Sequence, residues 1–210
     1  VGYTAVRLDV MGEDAYERAA TPEELERMAQ VVAEALEGGA IGFATSASPT
    51  HNGDQGRPVP SRLADLDEVR ALAAPLRDAG AGVLAMLPGG VFKNHEVFAL
   101  QRELGRPITW TALLTVAGVP YHEKVVAEHD AARAEGVEVW PQVSCRPLVF
   151  QINLADPFTF NTRPAFAALM DRPREERLAA YRDPAWRASA WAELSGSGGM
   201  LPVKWASLSV

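Results

Sequence analysis

The sequence predicts an α/β fold in which short parallel strands alternate with helices. Three observations support this prediction: amphipathic helical segments recur along the chain, each is followed by a short and almost wholly apolar stretch, and Gly or Pro separates the two. Strands that are apolar throughout are typical of a parallel sheet covered by helices on both faces. The chain has 210 residues, 48% of them hydrophobic, which is enough for one sizeable core.

The first helix with a clear start signal begins at Thr21. This residue is an N-cap type, Pro22 occupies the first helical position, and Glu24 lies three residues after the cap. Apolar residues at helical spacing then predict a helix over about 22–37, ended by two glycines. The preceding segment, Val1–Arg7, is interpreted as the end of a strand that passes into a loop.

The same alternation of helix and strand then repeats down the chain. From residue 165 onward the sequence becomes helical and polar, and a Gly/Ser-rich linker follows these helices. The predicted strands are about 41–45, 82–87, 108–113 and 137–143, and the predicted helices are about 67–79, 95–104, 122–135, 164–170, 174–181 and 184–194.

These elements predict part of a TIM barrel with a helical insertion. A closed (β/α)8 barrel takes about 250 residues, whereas four clear strands are found here, so we expect the chain to be part of a longer barrel. Residues 1–163 would supply its central βα units, 164–194 a helical insertion or lid, and 195–210 a linker and the start of a further element.

Composition excludes several classes of partner. The net charge of −7 is spread along the chain, so no basic footprint for nucleic acid or for an anionic membrane is present. Cys145 is the single cysteine, which excludes an internal disulfide and a cysteine-only zinc site and suits a cytoplasmic location. Unpaired strand edges favour association, so a homo-oligomer is possible.

A polar loop, 47–62, follows the strand 41–45 and marks a candidate active-site face. Loops after the carboxyl ends of parallel strands carry the chemistry in such folds. His51 could contact substrate or move a proton, or be a solvated loop histidine. Arg62 could clamp a substrate carboxylate, or it could form a salt bridge or cap at the following helix, which contains Asp65.

Three more residues are candidates for substrate contact. Arg146 follows the strand 137–143 and is a second possible carboxylate clamp. The neighbouring thiol of Cys145 is interpreted as structural, since no histidine is placed beside it to act as a base. Tyr3 and Arg7 follow the first visible strand and either line the substrate pocket or pack within the fold.

The remaining histidines and the aromatic residues have simpler interpretations. His95, His122 and His129 fall on predicted helices and are expected on the outside of the barrel in surface or capping roles. His122 and His129 are seven residues apart, whereas a helix presents two histidines to one zinc ion when they are four residues apart. Late aromatic residues are expected to pack in the core and lid, or to line an apolar acyl pocket: Trp140, Phe150, Phe158, Phe160 and Phe166.

Three phrases carry a family resemblance: Ala20-Thr21-Pro22-Glu23-Glu24-Leu25, Gly39-Ala40-Ile41-Gly42-Phe43-Ala44-Thr45-Ser46 and Pro141-Gln142-Val143-Ser144-Cys145-Arg146-Pro147-Leu148. With them the chain resembles the amidohydrolase superfamily, and within it the N-acyl-D-amino-acid deacylases (D-aminoacylases), from Val1 to about Leu194. The resemblance implies a barrel that hydrolyses the amide bond of an N-acyl amino acid by activating water on zinc or another divalent metal.

The resemblance also implies metal ligands that this sequence does not show. The family's paired histidines, bridging cysteine and late aspartate are expected outside this segment, and its two middle-strand histidines are absent from Val83–Leu87 and Thr109–Leu113. Gly2-Tyr3 stands where relatives have Gly-His, while Arg7 matches. Zinc would therefore not be fully ligated here. Either the protein uses a mononuclear site built elsewhere, or it is a non-catalytic small-molecule binding protein derived from a barrel.

Overall fold

A computed structural model describes residues 1–53, 56–89, 92–115, 120–147, 149, 151–155 and 157–196. The chain divides into two compact units. The first, here called the sheet unit, comprises Val1–Ser48 and Val59–Leu148, and the second, the helical unit, comprises Pro49–Pro58 and Val149–Val210. The domain boundaries expected from the sequence stay predictions. Among the helices of the described residues, none is both long and apolar enough to cross a membrane.

The sheet unit is built on four parallel strands, and the α/β prediction is confirmed. The strands lie in the order in which the chain makes them, and each pairs with the next. A barrel adds strands in this consecutive order, whereas a doubly wound sheet reverses direction at a switch point. Closure into a full barrel stays a proposal. The strands are β1 Gly42–Ser46, β2 Val83–Leu87, β3 Ile108–Thr111 and β4 Val139–Gln142.

Five α-helices belong to the described part of the same unit. They are α1 Tyr3–Met11, α2 Pro22–Glu37, α3 Leu66–Asp78, α4 Asn94–Leu104 and α5 Tyr121–Ala134. The start of α2 follows the prediction: the Thr21 hydroxyl accepts the Glu24 N–H at 3.2 Å, and the Glu24 carboxylate accepts the Thr21 N–H at 2.8 Å. This capping box satisfies two backbone donors that a helix start otherwise leaves unpaired.

The amino-terminal segment differs from the prediction. Gly2 does form a parallel bridge to Ala44, which is the strand end that was expected. Tyr3, however, begins helix α1, so the predicted loop over the following residues is wrong. Packing against the core explains the helix, because Tyr3 and Val6 are almost completely buried and the Tyr3 ring lies 5.6 Å from the Phe43 ring.

One side of the sheet carries the core and the other is open. Phe43, Leu84 and Ile108 are at most 1% exposed. The alternate residues Ala44 and Trp140 are exposed, and 46% of Trp140 is accessible. The expectation that Trp140 packs in the core is therefore wrong.

His129 also departs from its predicted surface role, since it is only 8% exposed. The indole N–H of Trp110 donates to His129 Nε2 at 3.0 Å, and His129 Nδ1 lies 2.8 Å from the Val125 carbonyl. Because an indole nitrogen only donates, Nε2 must accept, and the proton must sit on Nδ1. The imidazole is thus a neutral, fully hydrogen-bonded core group between α5 and β3.

The helical unit contains three α-helices in its described part, close to their predicted positions. They are α6 Pro164–Ala167, α7 Arg174–Arg182 and α8 Pro184–Ser195. The rings of Phe160 and Phe166 lie 5.5 Å apart, and those of Phe166 and Trp186 lie 5.1 Å apart. This agrees with the packing role expected for Phe160 and Phe166, whereas Phe150 and the side chain of Phe158 lie outside the described residues.

The loop 49–58 folds with these helices. Gly53 N–H donates to the Arg57 carbonyl at 2.7 Å, and Asn52 bridges Pro58. Gly56 has a φ of +79°, and a Cβ there would lie 2.5 Å from the Cβ of Met170. Only glycine satisfies both the backbone angle and the close approach.

Candidate functional site

The carboxyl edge of the sheet is the candidate site, because parallel strands direct their following loops to one edge. On the open face, Thr111 Oγ1 donates to Gln142 Oε1 at 2.9 Å, and Gln142 Nε2 donates to Thr109 Oγ1 at 3.1 Å. These exposed, neutral groups both donate and accept hydrogen bonds. They suit polar, uncharged atoms of a ligand.

A second group of hydroxyls lies at the end of β1. Ser61 belongs to a 3-10 turn, Pro60–Leu63, and its Oγ donates to the Ser46 carbonyl at 2.9 Å. The side-chain oxygens of Thr45 and Ser46 are buried without a hydrogen-bond partner among the described residues. Buried hydroxyls normally have partners.

Arg62 occupies this same turn, in the sheet unit. Its side chain is half-buried, and burial lowers the pKa of its guanidinium. Arginine remains charged at neutral pH despite such a shift. Arg62 therefore carries a positive charge next in sequence to Ser61, whose hydroxyl contacts the end of β1.

Tyr3 and Arg7 meet Glu68 in the interior of the sheet unit. The phenol of Tyr3 and the guanidinium of Arg7 both donate to Glu68 Oε1. Arg7 Nε donates to the Ala15 carbonyl at 3.1 Å, and another of its nitrogens donates to the Arg18 carbonyl. Arg7 is 0% and Tyr3 1% exposed. Their polar atoms are committed to this cluster, and the substrate contacts expected of them stay predictions.

Burial sets the electrostatics of the cluster. Burial raises the pKa of Glu68 to about 7, although a hydrogen bond from the Ala20 N–H acts in the opposite direction. Burial also lowers the pKa of Arg7. Each shift disfavours the charged form, as desolvation does. The cluster joins α1 to the start of α3 across 61 residues of sequence.

The other predicted contact residues lie at exposed positions. His51 is exposed on the loop of the helical unit, and Arg146 is exposed after β4 in the sheet unit. The Ser144 hydroxyl donates to the Arg146 carbonyl at 2.6 Å, which fixes the local turn. Cys145 is exposed between them. Arg62 and Arg146 thus share one unit, and both substrate-clamp roles stay predictions.

The described residues do not fit a metal centre. No group of three His, Cys, Asp or Glu side chains that could hold an ion is found in the part of the chain that the structure describes. The ends of β2 and β3 carry Met86, Leu87 and Thr111, none of which supplies the nitrogen, thiolate or carboxylate that zinc prefers.

Two buried polar residues were not singled out by the sequence. Asn161 and Arg163 are 7% and 8% exposed in the helical unit. They stand among aromatic residues and prolines without any motif, so only the burial of their side chains distinguishes them.

Comparison with known proteins places the fold. No family model matches the chain, and no curated protein matches it. Two solved structures do, each with 25% sequence identity and a TM-score of 0.54. One is a crystal structure of D-aminoacylase described as defining a novel subset of amidohydrolases, and the other is a D-aminoacylase mutant in complex with 100 mM copper chloride.

The match covers 68% of this chain and 29% of the D-aminoacylase chain. Because these structural neighbours are D-aminoacylases, which are amidohydrolases, the match supports placing this chain in a hydrolase family. The resemblance seen in the sequence is confirmed to that extent.

Proposed function

We propose that this chain forms part of a metal-dependent amidohydrolase that cleaves the C–N amide bond of an N-acyl amino acid or a related amide. The observation that carries the proposal is the parallel sheet in consecutive strand order together with the match to D-aminoacylase over 68% of the chain. The full barrel, zinc or another divalent metal, and a small acylated amino acid as substrate all belong to the proposal.

In this proposal the chain supplies substrate binding. Arg62 and Arg146 are positioned after two strands of one sheet, where a guanidinium can hold a carboxylate through two parallel hydrogen bonds. His51, on the loop that follows β1, belongs to the helical unit, and its predicted substrate contact is kept separate from the role of the two arginines. The metal ligands would come from residues outside the described part, so no chemical step is derived through the metal here.

A second candidate function is a binding protein that holds a small acidic ligand without turnover. The absence of imidazole at the ends of β2 and β3, where the strands carry Met86 and Thr111, favours it. Arginine clamps and neutral hydrogen-bonding groups serve binding as well as catalysis, so the site chemistry alone supports either function.

The experiment that separates the two is an assay of amide hydrolysis with metal analysis. The whole protein would be tested for release of free amino acid from N-acetyl-D-amino acids before and after chelation. We expect hydrolysis that chelation abolishes and divalent metal restores, with about one bound metal or more per chain. Saturable binding without hydrolysis or bound metal would support the second function instead. The 210-residue chain alone is expected to be inactive.

A further inference from the structure

The side chain of Gln142 is held in one orientation by two threonines of the neighbouring strand. Gln142 is the last residue of β4, where it pairs with Thr111 of β3. Its Oε1 accepts the Thr111 hydroxyl at 2.9 Å, and its Nε2 donates to Thr109 Oγ1 at 3.1 Å. Fixing an exposed glutamine in one rotamer costs conformational entropy, which these two bonds offset. The Gln142 amide is therefore preorganised on the open face of the sheet.

The same hydrogen bonds determine which end of the amide donates. The Thr109 hydroxyl donates to the Trp140 carbonyl at 3.0 Å, and a carbonyl only accepts. Because its proton is used there, Thr109 Oγ1 must accept from Gln142, which places Nε2 and not Oε1 beside it. The Thr111 hydroxyl donates to the other end of the amide, Oε1. Both threonine protons are thus committed within the network.

One donor of the network is left for a ligand. The amide nitrogen of glutamine carries two hydrogens, and one of them is used on Thr109. None of the hydrogen bonds among the described residues uses the second, and Gln142 is exposed. The end of β4 therefore offers a single oriented N–H without charge, for which a carbonyl oxygen is the natural acceptor.

Arg146 follows Gln142 by four residues at the same edge of the sheet. The backbone of Gln142 is fixed, since its carbonyl accepts the Leu113 N–H at 2.9 Å, and the Ser144 hydroxyl donates to the Arg146 carbonyl at 2.6 Å. An N-acyl amino acid joins its carboxylate to its acyl carbonyl through one carbon and one nitrogen atom. A guanidinium and a neutral N–H donor at the end of one strand match these two groups.

We propose that the remaining N–H of Gln142 binds the acyl carbonyl oxygen of an N-acyl amino acid, with Thr109 and Thr111 as positioning residues. This inference rests on the proposed function for its substrate class. The contact recognises the acyl group and leaves the carboxylate to the arginines. It also puts a donor at the oxygen that gains negative charge when water attacks the carbonyl, where a preorganised donor lowers the barrier to hydrolysis.

Calorimetric titration of the whole protein tests the contact with two probes, N-acetyl-D-leucine and its thioamide analogue N-thioacetyl-D-leucine. The probes share the carboxylate, the N–H and the side chain, and they differ only in the acyl acceptor, where sulfur accepts hydrogen bonds weakly. The wild-type protein should bind the oxygen probe about three- to tenfold more tightly, as expected for one neutral hydrogen bond. Gln142→Leu should bind the two probes equally.

Thr109 distinguishes positioning from general packing. Thr109→Val removes the acceptor that holds Nε2 and should reduce the preference for the oxygen probe, whereas Thr109→Ser keeps the hydroxyl and should retain it. Gln30→Leu is the matched control, because Gln30 is an exposed glutamine on α2, and it should leave the preference unchanged.

Three results would overturn the inference: a preference that Gln142→Leu retains, a preference that Gln30→Leu loses to the same extent, or equal binding of the two probes by the wild-type protein. The readout is the ratio of two affinities measured on the same variant. A variant that is only partly folded therefore still reports whether the preference is present.

The two proposals fail separately. An oxygen preference that depends on Gln142, without any hydrolysis, would refute the hydrolase function and leave the carbonyl contact standing. Hydrolysis with an oxygen preference that Gln142→Leu retains would overturn the contact and leave the hydrolase function standing.

Discussion

Each of the two units buries one arginine, and the surroundings of the two side chains differ. Arg7 in the sheet unit is 0% exposed and donates to Glu68 and to two backbone carbonyls. Arg163 in the helical unit is 8% exposed, and none of its nitrogens is among the buried side-chain atoms that lack a hydrogen-bond partner. The charge of Arg7 is satisfied by partners inside the protein and completes the fold, whereas the charge of Arg163 is not tied into such a cluster.

The difference follows from what a buried charge needs. A guanidinium in the interior is stabilised only if its donors and its charge are both satisfied. In the sheet unit Glu68 and the end of the turn Gly12–Tyr16 provide this within the protein. We therefore expect substitution of Arg7 to lower the free energy of unfolding far more than substitution of Arg163, and measuring both variants tests the comparison.

The largest effect is expected from Arg7→Met. This substitution removes the positive charge beside Glu68 and the donor to two backbone carbonyls, and breaking a buried pair typically costs about 3–5 kcal/mol. Urea unfolding followed by circular dichroism at pH 8 would measure the loss, with Arg163→Met measured alongside and expected to lose far less. Equal destabilisation by the two substitutions would show that the contrast between them does not exist.

The pH dependence of stability tests how burial acts on Glu68 in the Arg7 cluster. Burial raises the pKa of Glu68 from 4.5 in the unfolded chain to about 7, so the folded protein binds this proton more tightly. Stability from this group is fully present below pH 4.5 and is lost as pH rises through about 7. At about 1.4 kcal/mol per pKa unit, the loss is up to about 3 kcal/mol.

Unfolding free energies measured between pH 4 and 8 check this, with Glu68→Gln as the variant that lacks the titration. The wild-type value should fall relative to that of the variant as pH rises. A rise instead would mean that attraction to Arg7 outweighs burial at this carboxyl group.

Local sequence signals predicted the regular elements well and the buried charges poorly. Helix α2 was found at its bounds because its capping box and apolar spacing lie within 16 residues. Helix α1 was missed, since contacts with Phe43 and Glu68, far along the chain, hold it in place. Arg7 and Arg163 are not distinguishable from surface arginines until the fold shows their burial and, for Arg7, the partner 61 residues away.

The packing of the helical unit can be tested at Gly56. A methyl group there would lie 2.5 Å from the Cβ of Met170, and the φ of +79° already disfavours alanine. Gly136→Ala is the matched control, because Gly136 has a φ of +86° but nothing within 4 Å of its added Cβ. Gly56→Ala should cost about 1–3 kcal/mol more than the control.

Limited proteolysis of the loop 49–58 would show the change directly, as faster cleavage in Gly56→Ala than in the wild-type protein. Equal cleavage and equal stability of the two glycine variants would mean that the loop is not held against Met170.

The smallest effect is expected at His129, the neutral buried counterpart of the two arginines. His129→Leu keeps the volume near α5 apolar but leaves the indole N–H of Trp110 without its acceptor at 3.0 Å. An unsatisfied buried donor costs about 1–3 kcal/mol, partly offset here by the added apolar surface. Thermal unfolding would measure this against His95→Leu, whose side chain is 76% exposed and should change stability little. If the two leucine variants were equally stable, the sheet unit would tolerate an unpaired buried donor, and the complete pairing of Arg7 would lose its value as a sign of structural function.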